Sequence, residues 1–490
     1  MTADLRRPPE MVVSADNPWG TNEMGRKEIG LRLTNWLRST GNNPFVFSIN
    51  GAFGSGKSTF VNMWRADLQR KKYDRAGQLS PVDEADKNTT RHLTVYFNAW
   101  ENDHAEDPLL AIISEIKSRM DEFYSDYRPY QDQMDQLQEQ AWKIGRQVVP
   151  AIVRTVMRSV LGNEWSGMKF DKEDIADWSK VAGEMAKEYL EKKKAMEKFK
   201  TQLQNFARDI TASGSKQTAL PAGHAPTPAS FDAPIVIFID ELDRCRPDFA
   251  VRTLERIKHL FAVEGVVFVL SQNREQLAAA VKSMYGQEMD AEGYLRRFID
   301  LEFNMPAPSL EKYCNHLWEH FGMQQLTDAN PSRALLKIFT RMADSFQFDL
   351  RRTGQCFTEL RIILSQRPDE VTHVLIGFLL ALKWGRPALY RNLVAGNLDV
   401  LELVNKLCAD IGSLHPFFQT HIGTNMLACL IYSQTNIPDW SVINVNLNLA
   451  KYDTDYAGSI KAACQAVAHL VDRGQLQTTA KMLEFSERFS

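Results

Sequence analysis

The octapeptide Gly-Ala-Phe-Gly-Ser-Gly-Lys-Ser, Gly51 to Ser58, constrains this chain more than any other stretch. It fits the pattern G-x-x-x-x-G-K-[ST]. An apolar run, Asn43 to Asn50, precedes it, and a helical pattern starts at Gly56. Strand, glycine loop and helix N-terminus in that order predict a cradle of main-chain N–H groups for phosphate oxygens. Gly51, Gly54 and Gly56 give the backbone freedom that such a curl demands. Ser55 and Thr59 join them as expected phosphate contacts. Lys57 is placed to reach the β- and γ-phosphates, and Ser58 to ligate Mg²⁺. The competing reading is a chance glycine turn, which the flanking strand and helix disfavour.

A phosphate loop of this kind needs an acid to hold the metal. Ile235 to Ile239 is an apolar strand that ends in Asp240 and Glu241. In a parallel sheet that end lies at the carboxyl edge, where ligands bind. Asp240 is therefore the expected Mg²⁺ residue and Glu241 the expected base for an attacking water. The alternative for Glu241 is a solvated turn residue. Asp243 and Arg244 either line the site or pair with each other. Cys245 reads as a small packing residue.

A later strand, Gly265 to Ser271, runs into Ser271-Gln272-Asn273, polar residues suited to touch the γ-phosphate or the lytic water. Arg296 and Arg297 precede a fifth strand, Phe298 to Pro306. An arginine there can stabilise the transition-state charge of a neighbouring subunit's phosphate; the alternative is a pair of surface arginines. Glu241, Lys57, Asn273 and Arg297 make up the expected catalytic set.

The strands, with His92 to Trp100 as the second, alternate with helical segments. That pattern argues for an α/β fold with a parallel sheet covered on both faces. The expected architecture is a P-loop NTPase three-layer core with five parallel strands, a large helical insertion and an all-α C-terminal domain. The boundaries read as 1–100 and 231–306 for the core, 101–230 for insertion and linker, and 307–490 for the helical lid and tail. Asp74 to Arg91 reads as a loop, and Ala212 to Ser230 as a flexible linker. In the insertion, Met196, Phe199, Leu203, Phe206 and Ile210 form one helical stripe, read as packing, with a short coiled coil as alternative.

Hydrophobic residues make up 44% and charged residues 24%, with net charge −3. This is the balance of a soluble globular protein. Near-neutrality does not favour a nucleic-acid motor. Six separate cysteines without a CxxC pair read as reduced thiols, and no signal or spanning run is evident. The expected location is cytoplasmic. Trp142 to Gly162 combines an apolar face with basic residues and gives a membrane-surface alternative, against a plain packed helix. His316-Leu-Trp-Glu-His320 matches a zinc-peptidase pattern, yet no third ligand is identifiable, so packing is favoured.

The motifs together resemble the KAP family of P-loop NTPases. The match rests on Ala15 to Glu28 (with ADNPWG and MGRKE), the phosphate loop, FNAWEND at Phe97 to Asp103, and IDELDRCRP at Ile239 to Pro247. Val266 to Leu277 and Tyr294 to Pro306 extend it. The resemblance implies a core related to AAA+ and STAND ATPases that binds ATP with Mg²⁺. It places Gly25 and Arg26 near the adenine. It also implies hydrolysis that drives a conformational or assembly switch, a homo-oligomer, and a protein partner or effector. The alternative is a non-catalytic nucleotide-gated scaffold. Arg297 stands where the family more often has lysine. Arg351, Arg352 and Arg361 are candidates for a second arginine contact to the γ-phosphate, with ordinary surface charge as the alternative. Many members carry paired membrane helices where this chain has its insertion. Members without them include several that serve in phage defence, a role implied here by kinship alone.

Overall fold

The structure, a computed structural model, describes residues 13, 17–20, 25–73, 79–81, 92–124, 128–145, 172–212, 233–307, 309–326, 329–366, 370–434 and 456–486. The linker reading at 212–230, apart from its first residue, and most of the basic segment 142–162 fall outside them.

Five strands form one parallel sheet: β1 (Phe45–Asn50), β4 (Thr94–Asn98), β5 (Ile235–Asp240), β6 (Val266–Gln272) and β7 (Leu301–Asn304). Their spatial order is β4-β5-β6-β1-β7. The central strands β5 and β6 are buried at every position. That explains why they read as unbroken apolar runs rather than alternating ones. A two-stranded ribbon, β2 (Lys71–Tyr73) against β3 (Leu79–Pro81), reaches into the stretch read from sequence as a loop. Three-residue strands are too short to show a period.

Each sheet face has its own core. Phe47, Ile49, Val236, Phe238, Val267 and Val269 point toward α1 (Arg26–Ser39) and α2 (Lys57–Arg70). Trp64 of α2 packs edge-on against Phe238 at 5.5 Å between ring centres. Its indole N–H donates to Thr34 Oγ1 of α1 at 2.9 Å. The buried polar edge of the ring is thereby satisfied and the two helices are pinned together.

Ile235, Ile237, Ile239, Phe268 and Leu270 face the other way. They meet α3 (Pro108–Tyr124), α4 (Arg128–Gly145), α5 (Lys172–Ala212) and α6 (Pro247–Leu260). Phe199, Leu203, Phe206 and Ile210 of α5 are fully buried there and Met196 is partly so. The stripe is thus a packing face, and α5 covers the sheet's core. Past β6 come α7 (Arg274–Tyr285) and the short α8 (Ala291–Leu295).

From Leu310 to Leu483 the helices share a third core. It includes α9 (Leu310–His320), α10 (Ala329–Ser345), α11 (Leu350–Leu364) and α12 (Glu370–Gly385). The apolar run His373 to Trp384 lies in α12, with every residue from Leu375 to Leu382 buried. Among the described residues no helix is long and apolar enough to cross a membrane.

Candidate nucleotide site

All five strands point their carboxyl ends at one edge of the sheet, and the candidate site is built there. Gly51 leaves β1 with its N–H donating to the Gln272 carbonyl at 3.2 Å. The loop then turns through Gly54 at φ +74° and Gly56 at φ +83°. Both angles are left-handed, which glycine adopts without strain. Helix α2 begins at Lys57, so its unpaired first N–H groups open toward the loop. Ser58 and Thr59 sit in that first turn. Lys57 folds back, donating from Nζ to the carbonyls of Gly51 at 2.6 Å and Ala52 at 3.1 Å. Burial lowers its pKa, while Asp243, Asp240 and Glu241 pull it up and Arg244 adds to the lowering.

Three buried polar atoms around this loop have no hydrogen-bond partner among the described residues: Arg26 Nη1, Ser55 Oγ and Ser271 Oγ. Buried polar groups are nearly always bonded. Their convergence on a glycine cradle is what phosphate oxygens and ordered water would satisfy. Arg26 opens α1 and donates from Nη2 to the Ser55 carbonyl at 3.2 Å. Its side chain therefore grips the phosphate loop directly. Gly25, just before it, is also left-handed at φ +70°.

The register explains the acids. Asp240 is level with Ser271, and Asn50 with Gln272. The phosphate-loop strand and the acidic strand are thus separated by β6, a span of roughly 10 Å. Asp240 is buried at the end of β5. Its Oδ1 accepts from the Glu241 N–H at 2.9 Å and its Oδ2 from the Tyr96 hydroxyl at 3.0 Å. Burial and the Asp240 carboxylate push the Tyr96 pKa up, so the hydroxyl stays a donor.

Glu241 adopts a left-handed φ of 60°, rare for a residue with a side chain. Arg244 Nη1 meets its Oε1 at 2.8 Å. Burial raises its pKa, helped by Asp240 and Asp243 and opposed by Arg244 and a hydrogen bond from Asn98. The pairing question left open by the sequence is answered: Arg244 pairs with Glu241. Asp243 instead accepts from the Asn273 main-chain N–H and lies in the field of Lys57. Cys245 is buried, with Sγ 3.5 Å from the Glu241 carbonyl oxygen. Burial pushes its thiol up to about 12.

The three polar residues ending β6 separate by geometry. Gln272 donates to Ser48 Oγ at 3.1 Å inside the sheet. Asn273 caps α7, its Oδ1 accepting from the N–H groups of Glu275 and Gln276. Ser271 shares Asp240's face of the sheet. Arg296 and Arg297 are exposed after α8 and lead into β7, whose first residue pairs with Phe47. They stand toward the amino edge of the sheet, across from the chain's own phosphate loop. Of the tail arginines, Arg352 lies over the Phe348 ring at 5.3 Å and Arg361 donates to the Phe321 carbonyl. Arg351 is exposed at the start of α11.

The helical tail reaches the site through that helix. The Leu350 N–H donates to the Gly54 carbonyl at 3.1 Å. Asp349 caps α11, its side chain accepting from Arg352 N–H at 2.7 Å. Nothing in the local sequence around Asp349 signals this contact. Asn98 and Tyr96 were also given no role from sequence. Their signal is positional: polar side chains near the carboxyl end of a strand beside the acidic one. The motif His316–His320 forms a tilted ring pair at 6.2 Å. Among the described residues no group of three or more His, Cys, Asp or Glu could hold a metal.

The strand order, the glycine loop and the acid-ended strand are those of a nucleotide-binding P-loop fold. A family model described as the KAP family P-loop domain matches residues 26–367, from the start of α1 past the end of α11. No curated protein matches the chain. The matched span is well over half of the sequence, and the chain belongs to the KAP family of P-loop NTPases.

Proposed function

We propose that the chain binds ATP with Mg²⁺ at this edge and hydrolyses it, and that the helical lid converts the nucleotide state into a change of conformation or assembly. One observation supports this most: Lys57 and the unpartnered donors of the cradle face Asp240 and Glu241 across Ser271. Lys57 and Arg26 would offset the charge of the phosphates. Gly51, Gly54, Ser55, Gly56 and Thr59 would line them. Ser58 and Asp240 would hold the Mg²⁺ ion, which when bound neutralises phosphate charge. Glu241 would take a proton from the attacking water, and the burial that raises its pKa strengthens it as a base. Arg297, across the sheet from its own loop, would act only on the site of a neighbouring copy. Asn273 and Ser271 would position the water or the γ-phosphate. A role in phage defence rests on the resemblance, a cytoplasmic location on the separate cysteines and the lack of a spanning run, and a membrane-peripheral one on the basic segment Trp142 to Gly162.

A second reading is a nucleotide-gated scaffold that turns over slowly or not at all. The Leu350–Gly54 hydrogen bond favours it, since occupancy of the loop alone would act on the lid. Phosphate release from Mg-ATP, measured beside molecular mass with and without ATP, tests both. Hydrolysis predicts that Glu241→Gln binds ATP but loses about 100-fold or more in turnover. Normal turnover in that variant overturns the assignment of the base. Nucleotide-dependent mass with negligible wild-type turnover identifies the scaffold.

A further inference from the structure

Arg244 closes the short 3₁₀ turn Leu242–Arg244 directly after the acidic pair. Besides its contact with Glu241, its guanidinium carbon stands 5.7 Å from the centre of the Phe53 ring and 5.6 Å from that of Trp100. Phe53 belongs to the phosphate loop, and Trp100 follows β4. Both rings are notably open, 38% and 52% exposed. A planar guanidinium sits well on aromatic faces, where the ring quadrupole attracts it and its weak hydration makes partial burial cheap. One cation therefore touches the loop that would receive phosphate and the carboxylate that would act on water.

Asn98 completes the connection. Its Oδ1 accepts from the main-chain N–H groups of Trp100 at 3.1 Å and Glu101 at 3.3 Å. Glu241 in turn accepts a side-chain hydrogen bond from Asn98. Trp100 is thus anchored to the same side chain that steadies Glu241. The left-handed backbone of Glu241 costs on the order of 1 kcal/mol and persists only where its surroundings fix it.

We propose that Arg244 is a positioning residue for the general base, holding Glu241 in its left-handed pose and, through Phe53, making that pose depend on what the phosphate loop holds. This rests on Glu241 being the base. When the loop closes on phosphate, Phe53 moves with it and the guanidinium wedged between Phe53, Trp100 and Glu241 must follow.

The test uses the full chain in two arms. Steady-state ATP turnover is followed for wild type, Arg244→Ala and Arg244→Lys. Tryptophan fluorescence is titrated with Mg²⁺ and a slowly hydrolysed ATP analogue, with Trp100→Phe identifying the Trp100 contribution. Arg244→Ala should lower kcat by about tenfold or more while KM changes less than about threefold. Arg244→Lys should restore most of that loss. The Trp100 part of the nucleotide-induced signal should vanish in Arg244→Ala and return in Arg244→Lys. An unchanged kcat in Arg244→Ala, or a Trp100 signal indifferent to Arg244, overturns the proposal. If wild type binds the analogue without hydrolysing ATP, the hydrolytic reading fails. The fluorescence arm still decides whether loop and Arg244 are coupled.

Discussion

Leu350 and Gly54 are joined by a main-chain hydrogen bond of 3.1 Å, although one belongs to the helical core of the tail and the other to the phosphate loop. A Cβ on Gly54 would sit 2.7 Å from Asp349 Cγ, so the cap of α11 rests on the phosphate loop itself. A carboxylate is thereby held beside a site built to attract phosphate. Binding and lid position must compete or cooperate through these few atoms.

Asp349→Asn keeps an oxygen to cap α11 and removes the charge. ATP should bind several-fold tighter, since like charge near the phosphates is relieved. The melting temperature should hardly change. Asp349→Ala loses the cap as well and should cost about 1 kcal/mol of stability. Calorimetric titration beside thermal unfolding separates the two effects.

Gly54→Ala meets two obstacles. Its φ of +74° strains any side chain, at roughly 1–2 kcal/mol, and the new methyl collides with Asp349. Nucleotide affinity should fall by about tenfold or more. Pairing it with Asp349→Ala should recover part of the loss, because the collision is gone and the backbone strain remains. Fluorescent-nucleotide binding reads both.

His92 gives the fold a pH signature. It is buried, its Nδ1 lies 2.9 Å from the Pro234 carbonyl oxygen, and burial pushes its pKa down to about 4. The unfolded chain binds that proton near pH 6.5, so stability is fully present above there and falls as pH drops toward 4. The full loss would be about 3 kcal/mol. Denaturant unfolding between pH 4 and 7 should show this slope, flattened in His92→Gln.

Lys383 and Glu359 form a largely buried pair at 2.6 Å in the helical core. Glu359 also accepts from the Trp384 indole at 2.9 Å, and Lys383 donates to the Leu483 carbonyl at 2.9 Å. Lys383→Met strands a buried carboxylate and should cost roughly 3–5 kcal/mol. Adding Glu359→Gln removes that charge yet keeps an acceptor for Trp384, and should restore about 1 kcal/mol or more. Urea unfolding of the two variants checks it.

The sheet was legible because buried parallel strands such as Ile235 to Asp240 appear as apolar runs ended by chemistry. The phosphate loop was legible because its glycines, lysine and serine are adjacent in sequence. The partners were harder. Asp243 and Arg244 read as lining the site or pairing with each other, whereas in the fold Arg244 meets Glu241. Asn273 reads as a site residue, and the sequence does not show that its oxygen also caps α7. Asp349 gives no sign of touching Gly54, since that contact depends on how one folded unit docks on another.

The insertion leaves from β4 and returns at β5. Among the described residues β4 is the outer strand of the sheet, with β5 its one neighbour there. A segment spliced in at a margin need not thread between strands or disturb their alignment. That position works as a socket: helices of another length or purpose could be fitted there while Asp240 and Lys57 kept their places. The condition is the apolar stripe Phe199, Leu203, Phe206 and Ile210: any replacement must still roof that face of the sheet, and beyond that stripe it is free to vary.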